Sequence, residues 1–80
     1  MKITADTKFN IGDTVYAAES YEVYWANKTP YIVIDITVNV NEDMTRIVYT
    51  INQDYIIDTV SEDFLFATYE ECMKWCKEHN

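Results

Sequence analysis

Residues 31–40, YIVIDITVNV, are the stretch that decides the fold. Aliphatic side chains recur there at every second position, which is the period expected of a half-buried antiparallel strand. Five of them share one face: Ile32, Ile34, Ile36, Val38 and Val40. We therefore predict a ten-residue strand whose isoleucine and valine face lies in the core.

The residues that follow predict the partners of this strand. Residues 41–43 (Asn, Glu, Asp) form a turn, and residues 45–52 return as a strand with Ile47, Tyr49 and Ile51 on one side. The two strands together predict a long hairpin. Residues 55–60 are a candidate for a further strand, and residues 64–66 form a short apolar run; the sequence leaves the register of both open.

The residues that precede the 31–40 strand predict two more strands. Gly12 and Asp13 form a turn signal, because glycine tolerates a positive φ and aspartate can bond to its own backbone. Residues 14–20 then predict one strand and residues 21–26 a second, on which Tyr21, Val23 and Trp25 share a face. Residues 27–30 end in a proline and form the clearest break.

The end of the chain changes its period from two to about 3.6. Thr68 followed by Glu71 is a capping box, which predicts a helix over residues 69–79. Its apolar stripe consists of Tyr69, Cys72, Met73 and Cys76, with Trp75 at the edge. We expect this stripe to lie on the sheet.

These features resemble the small SH3-like barrel proteins of bacteria and their phages. The matching residues are Phe9, Gly12, Asp13, Val15 and Tyr16 near the start, and Leu65, Phe66, Thr68, Glu70 and Glu71 near the end. The resemblance implies one mainly β domain over residues 1–80, a five-stranded antiparallel SH3-like barrel with a C-terminal α-helix. Such folds mostly bind other molecules, and the resemblance supplies no catalytic residues.

Acidic residues dominate the charge of the chain. The formal net charge is −8, and residues 42–71 hold eight acids but a single base, Arg46. Direct binding to nucleic acid is not expected, because affinity for phosphates depends on Lys and Arg. A protein partner with a basic surface would be attracted, although acidity also serves solubility alone.

Few residues are suited to catalysis or to binding a metal or cofactor. His79 is the single histidine, and it lies next to the end of the chain. Cys72, Cys76 and His79 have a spacing that could offer three zinc ligands, but a structural zinc site needs a fourth, and core packing is the simpler interpretation. We expect no enzyme activity, no metal and no cofactor. The chain also lacks a long apolar segment, so we expect a cytoplasmic monomer that does not enter a membrane.

The aromatic residues are numerous for a small barrel, so some should be exposed. Tyr24, Trp25 and Tyr31 flank the turn at Pro30 and are the predicted exposed cluster. SH3-like surfaces use such clusters to bind peptides, especially proline-rich ones.

Two functions therefore remain open. In the first, the protein is a non-catalytic acidic inhibitor from a phage or mobile element, of the DNA-mimic or anti-CRISPR type, that occupies a basic nucleic-acid-binding surface of a host protein. The carboxylates that would replace phosphates are Glu42, Asp43, Asp54, Asp58, Glu62 and Asp63. In the second, it is an SH3-like peptide-binding or accessory domain that uses the aromatic cluster.

Overall fold

The computed structural model describes residues 7–80, and most of them lie in β-strands. The elements in chain order are β1 (Thr14–Tyr21), β2 (Val23–Ala26), β3 (Tyr31–Val40), β4 (Thr45–Gln53), β5 (Ile56–Ser61), a 3-10 turn (Glu62–Phe64), β6 (Leu65–Phe66) and α1 (Tyr69–His79). The predicted mainly β fold with one C-terminal helix is confirmed.

The strands pair in antiparallel fashion in the order β2-β1-β3-β4-β5, and the short β6 pairs with β1. The predicted long hairpin is formed by β3 and β4, with Val40 opposite Thr45 at its tip. The Asn41 side chain builds the turn, since its Oδ1 accepts from the amides of Asp43 at 3.2 Å and Met44 at 3.1 Å. The candidate strand over residues 55–60 is β5, which pairs with β4.

A β-bulge in β3 reverses the predicted core face of this strand. Val33 lies opposite Ile51 and Asp35 opposite Thr50, so Ile34 is an extra residue without a partner of its own. Before the bulge, Tyr31 and Val33 are buried, whereas Ile32 and Ile34 are each 42% exposed. The prediction that these two isoleucines lie in the core was therefore wrong, because one extra residue exchanges the two faces.

After the bulge, the isoleucine and valine side chains of β3 lie on the core side as predicted, but they are only partly covered. Ile36 packs against the core, while Val38 and Val40 are 40% and 46% exposed. Within residues 7–80, the hairpin extends beyond the strands on either side of it, and no further element covers its outer half.

Strand β1 separates two small cores. Val15 and Ala17 face the larger core, in which Tyr49, Ile51 and Leu65 are fully buried. On the opposite face, Ala18 is buried in a second cluster with residues of β6 and α1, and Tyr16 packs against it. Alternation along one strand thus places neighbouring residues in different cores.

The helix covers the second core and begins as predicted. Thr68 caps it, with its Oγ1 accepting from the Glu71 amide at 3.2 Å. Cys72 and Cys76 are buried as expected. However, Met73 is exposed, and Trp75 packs on the cluster in its place. The predicted stripe was therefore wrong at Met73.

Candidate functional site

Four of the six candidate acids lie at one end of the sheet. Glu42 and Asp43 occupy the turn between β3 and β4, and both are exposed. Glu62 and Asp63 belong to the 3-10 turn, which adjoins the first residues of β4. We call these four residues, Glu42, Asp43, Glu62 and Asp63, the acidic end.

An open groove of about 430 Å³ lies between the start of β4 and the 3-10 turn. Its lining combines apolar and charged side chains, and it includes Met44, Arg46, Ile47, Glu62, Asp63 and Phe64. Met44 is well exposed beside the turn. The groove therefore offers an apolar wall next to two carboxylates.

Glu62 is held in place by a buried tyrosine. The hydroxyl of Tyr49 donates to Glu62 Oε2 and accepts from the Phe9 amide at 3.1 Å. The Lys8 amide donates to the same Glu62 oxygen at 3.1 Å. Burial, and then the bond to Glu62, raise the pKa of the Tyr49 hydroxyl, so it stays protonated and remains a donor. Glu62 is thus an oriented carboxylate, whereas the Glu42 and Asp43 side chains are exposed in the turn.

The other two candidate acids lie elsewhere. Asp54 is in the turn between β4 and β5, in the left-handed conformation with φ 55°. Because β4 has nine residues, its two ends are about 27 Å apart. Asp58 lies on β5 opposite Ile51, and its Oδ1 accepts from the Thr59 amide at 2.8 Å. The six acids therefore do not form one surface.

Tyr31 is not exposed, which corrects one member of the predicted aromatic cluster. It is 3% exposed, since the bulge in β3 leaves residues 31 and 33 on the core face. Its hydroxyl donates to Glu19 at 3.3 Å, and Asn27 Nδ2 donates to the same carboxylate at 2.8 Å. Burial and the neighbouring Glu19 raise the pKa of Tyr31. Tyr31 is a structural residue here.

Tyr24 and Trp25 point to opposite faces of β2, so the predicted cluster does not form. The Tyr24 ring packs on Trp75, with ring centroids 4.8 Å apart, and is half-buried. Trp25 is 45% exposed and shares its face with Val23 and with Tyr21, which lies opposite Val23. Tyr21 is 79% exposed. The alternation in residues 21–26 already indicated this face, whereas proximity to Pro30 selected the wrong neighbours.

The two thiols and the histidine lie in different environments. Cys72 and Cys76 are buried, and burial raises the pKa of the Cys72 thiol to about 12 and also raises the pKa of Cys76. His79 is exposed, its ring stacks on Trp75 at 4.0 Å, and its Nδ1 is 2.7 Å from the Trp75 carbonyl oxygen. Within residues 7–80, no group of three or more His, Cys, Asp or Glu residues could hold a metal ion.

No helix of the described part is long and apolar enough to span a bilayer. The chain matches no family model, no curated protein and no solved structure. The SH3-like resemblance therefore stays a prediction, and the function has to be argued from the surfaces described above.

Proposed function

We propose that this protein is a non-catalytic binder whose acidic end occupies a basic, nucleic-acid-binding surface of another protein. The observation that supports it is the position of Glu42, Asp43, Glu62 and Asp63 at one end of the sheet, in a stretch of thirty residues with Arg46 as its single base. An inhibitor from a phage or mobile element, of the DNA-mimic or anti-CRISPR type, is the setting in which such a surface would act.

The proposed scaffold is an SH3-like barrel. Its support is the antiparallel strand order and the way β1 pairs with three different strands, β2, β3 and β6, along its length. A sheet that closes into a barrel would share a strand between neighbours in this way.

The groove suggests how a basic side chain would bind. A partner's Lys or Arg would lay its aliphatic stem on Met44 and Ile47 and bring its charge to Glu62 and Asp63. The carboxylates of the turn would accelerate the encounter through long-range attraction, while the apolar contacts would slow dissociation. Glu62 is already oriented by Tyr49, so less side-chain entropy is lost on binding.

Neutralising the exposed carboxylates of the acidic end should weaken binding to a basic probe. The variant combines Glu42→Gln, Asp43→Asn and Asp63→Asn, and it keeps Glu62 so that the bond to Tyr49 is preserved. If each exposed carboxylate contributes about 0.5 kcal/mol, the three together contribute about 1.5 kcal/mol, or a tenfold loss of affinity. Fluorescence anisotropy with a labelled octa-arginine peptide at low and moderate salt measures it, and wild-type binding should weaken as salt rises.

A matched control separates position from total charge. Asp35→Asn, Asp54→Asn and Asp58→Asn remove the same three charges from exposed sites near the other end of β4, and this variant should lose much less affinity. Arg46→Gln should bind more tightly than wild type, because it removes a competing cation from the groove. Equal losses in both triple variants would contradict the proposed surface. So would failure of the wild-type protein to displace duplex DNA from the peptide.

The second candidate function is peptide binding, and one observation favours it. Tyr21, Val23 and Trp25 form an exposed apolar patch at the turn between β1 and β2, on the face opposite Tyr24. Exposed aromatic side chains on a sheet are suited to extended proline-rich peptides.

Trp25→Ala should abolish this activity if the patch is the binding site. The probe is a set of synthetic P-x-x-P peptides with a flanking arginine, and the expected result is at least about a tenfold loss of affinity, typical of an aromatic hot spot. Tyr55→Ala is the control, because Tyr55 is fully exposed in a different turn. Fluorescence anisotropy of dye-labelled peptides measures the affinity without relying on Trp25 as the reporter, and unchanged affinity in Trp25→Ala excludes the patch.

A further inference from the structure

Side chains of the protein itself block two of the sheet's open edges. On β2, the Asn80 side chain closes the edge: its Oδ1 accepts from the Tyr24 amide and its Nδ2 donates to the Tyr24 carbonyl, both at 2.8 Å. On β5, Asp58 accepts from the Thr59 amide at 2.8 Å. Such contacts occupy backbone groups that would otherwise pair with another strand.

The outer half of β3 has a third edge. β1 pairs with β3 only at residues 31 and 32, and the preceding turn reaches one residue further, with Gly12 N donating to Val33 O at 2.8 Å. Beyond the bulge, no strand among residues 7–80 lies beside β3 on this side. Among residues 7–80, the edge is therefore open from the bulge to the tip of the hairpin.

The phase of the hairpin shows which backbone groups point to this edge. The Asn41 amide donates to the Met44 carbonyl across the turn at 3.0 Å, so residue 41 faces β4. Because backbone groups alternate in direction along an antiparallel strand, residues 39 and 37 also face β4. The N–H and C=O groups of Ile36, Val38 and Val40 then point to the open edge.

The sequence of this edge is complementary to itself. A twofold axis through Val38 would place Val38 opposite its own copy and Ile36 opposite Val40. On the other face, the same axis would place Thr37 opposite Asn39 and Asp35 opposite Asn41. No charge meets a like charge, and apolar side chains meet apolar ones. The segment also contains no lysine or proline, the residues that most often protect an edge.

We propose that two copies of the chain pair through the open edges of β3, forming one continuous antiparallel sheet across a twofold axis. The contact would cover Val38 and Val40, which the rest of the protein leaves partly exposed. It departs from the sequence-based expectation of a monomer. A contact of about five residues on each chain buries less than the roughly 800 Å² per partner of a standard interface, so the dimer forms in the micromolar range or above.

Salt acts on this dimer in the opposite direction from its action on a basic partner. Each copy carries a net charge of −8, so the two repel one another at long range, while the paired segment itself brings no charges together. Screening therefore strengthens self-association. A basic probe binds more weakly under the same conditions.

Sedimentation equilibrium from about 10 µM to about 1 mM protein, at about 50 mM and about 500 mM NaCl, tests the proposal. We expect a monomer–dimer equilibrium that is stronger at high salt. Val38→Lys should weaken it about tenfold or more, because two ammonium groups would meet at the axis. Thr59→Lys adds the same charge on the β5 edge and should leave it unchanged. Circular dichroism of both variants verifies that the fold is intact.

Amide hydrogen exchange supplies a second readout. The amides of Ile36, Val38 and Val40 should exchange more slowly as protein concentration rises, and this protection should be absent in Val38→Lys. A monomer at all concentrations overturns the proposal, and so does equal weakening by the two lysine variants. Protection that is independent of concentration and disappears on deletion of residues 1–6 also overturns it, since the chain itself would then cover the edge.

Discussion

Replacing Trp75 with alanine should lower the free energy of unfolding by about 3–5 kcal/mol, the usual cost of removing a large aromatic side chain from a packed site. The Trp75 ring lies within 6 Å, centroid to centroid, of Tyr24, Phe64 and Phe66. It therefore joins helix α1 to β2, the 3-10 turn and β6. The total free energy of unfolding of a domain of this size is about 4–12 kcal/mol, so the variant should lose much of its stability.

Urea denaturation followed by far-UV circular dichroism measures this loss, which corresponds to a fall in Tm of about 20 °C. Met73→Ala is the matched control on the same helix, and we expect it to cost less than about 1 kcal/mol because Met73 is exposed. Equal losses in the two variants would show that the helix packs through Met73, as the periodicity suggested.

The contrast between these two residues shows what helical periodicity can predict. Thr68 and Glu71 predicted the start of the helix, and Cys72 and Cys76 predicted the centre of its buried stripe. At 100° per residue, Met73 and Trp75 lie about 80° to either side of that centre. Periodicity cannot choose between them. The choice depends on Tyr24 and Phe64, which are distant in sequence and brought together only by the fold.

Strand β3 shows a similar limit. Alternation predicted a strand over residues 31–40, and its bounds were right. The core face was wrong for Ile32 and Ile34 because a bulge leaves no trace in a pattern of alternating aliphatic residues. Strand β4 has no extra residue of its own, and its predicted core residues Tyr49 and Ile51 are buried.

The separation of the candidate acids between the two ends of β4 was partly predictable from the sequence. Asp43 and Asp54 flank a single strand of nine residues, so they had to lie near its opposite ends. By contrast, the approach of Glu62 and Asp63 to the start of β4 depends on the pairing of β5, whose register the sequence left open. The acidic end is therefore a product of the tertiary structure.

Replacing Tyr49 with phenylalanine should cost about 2–4 kcal/mol of stability although it removes only one oxygen atom. The hydroxyl is fully buried, donates to the Glu62 carboxylate and accepts from the Phe9 amide. Its removal deletes a bond to a charged group and leaves a buried amide without that partner, and each of these costs about 1–3 kcal/mol. Thermal and urea denaturation measure it.

Tyr31→Phe is the comparison for this stability effect. It also removes a buried hydroxyl that donates to a glutamate, Glu19. However, Glu19 keeps a bond from Asn27 at 2.8 Å, and the Tyr31 hydroxyl accepts only a long contact of 3.4 Å from the same amide. We therefore expect a loss nearer 1 kcal/mol. A loss as large as that of Tyr49→Phe would show that the remaining bond from Asn27 does not compensate Glu19 for the lost hydroxyl.

Tyr49→Phe should also weaken binding to a basic probe, because the Tyr49 hydroxyl orients the Glu62 carboxylate beside the groove. Glu62→Gln removes the charge itself, so Tyr49→Phe should have little further effect on octa-arginine affinity once Glu62 has been replaced. A double-mutant cycle measured by fluorescence anisotropy gives this coupling directly. If the two substitutions weaken binding independently, then Tyr49 acts on the groove through the packing of the core and the oriented carboxylate is not part of the binding surface.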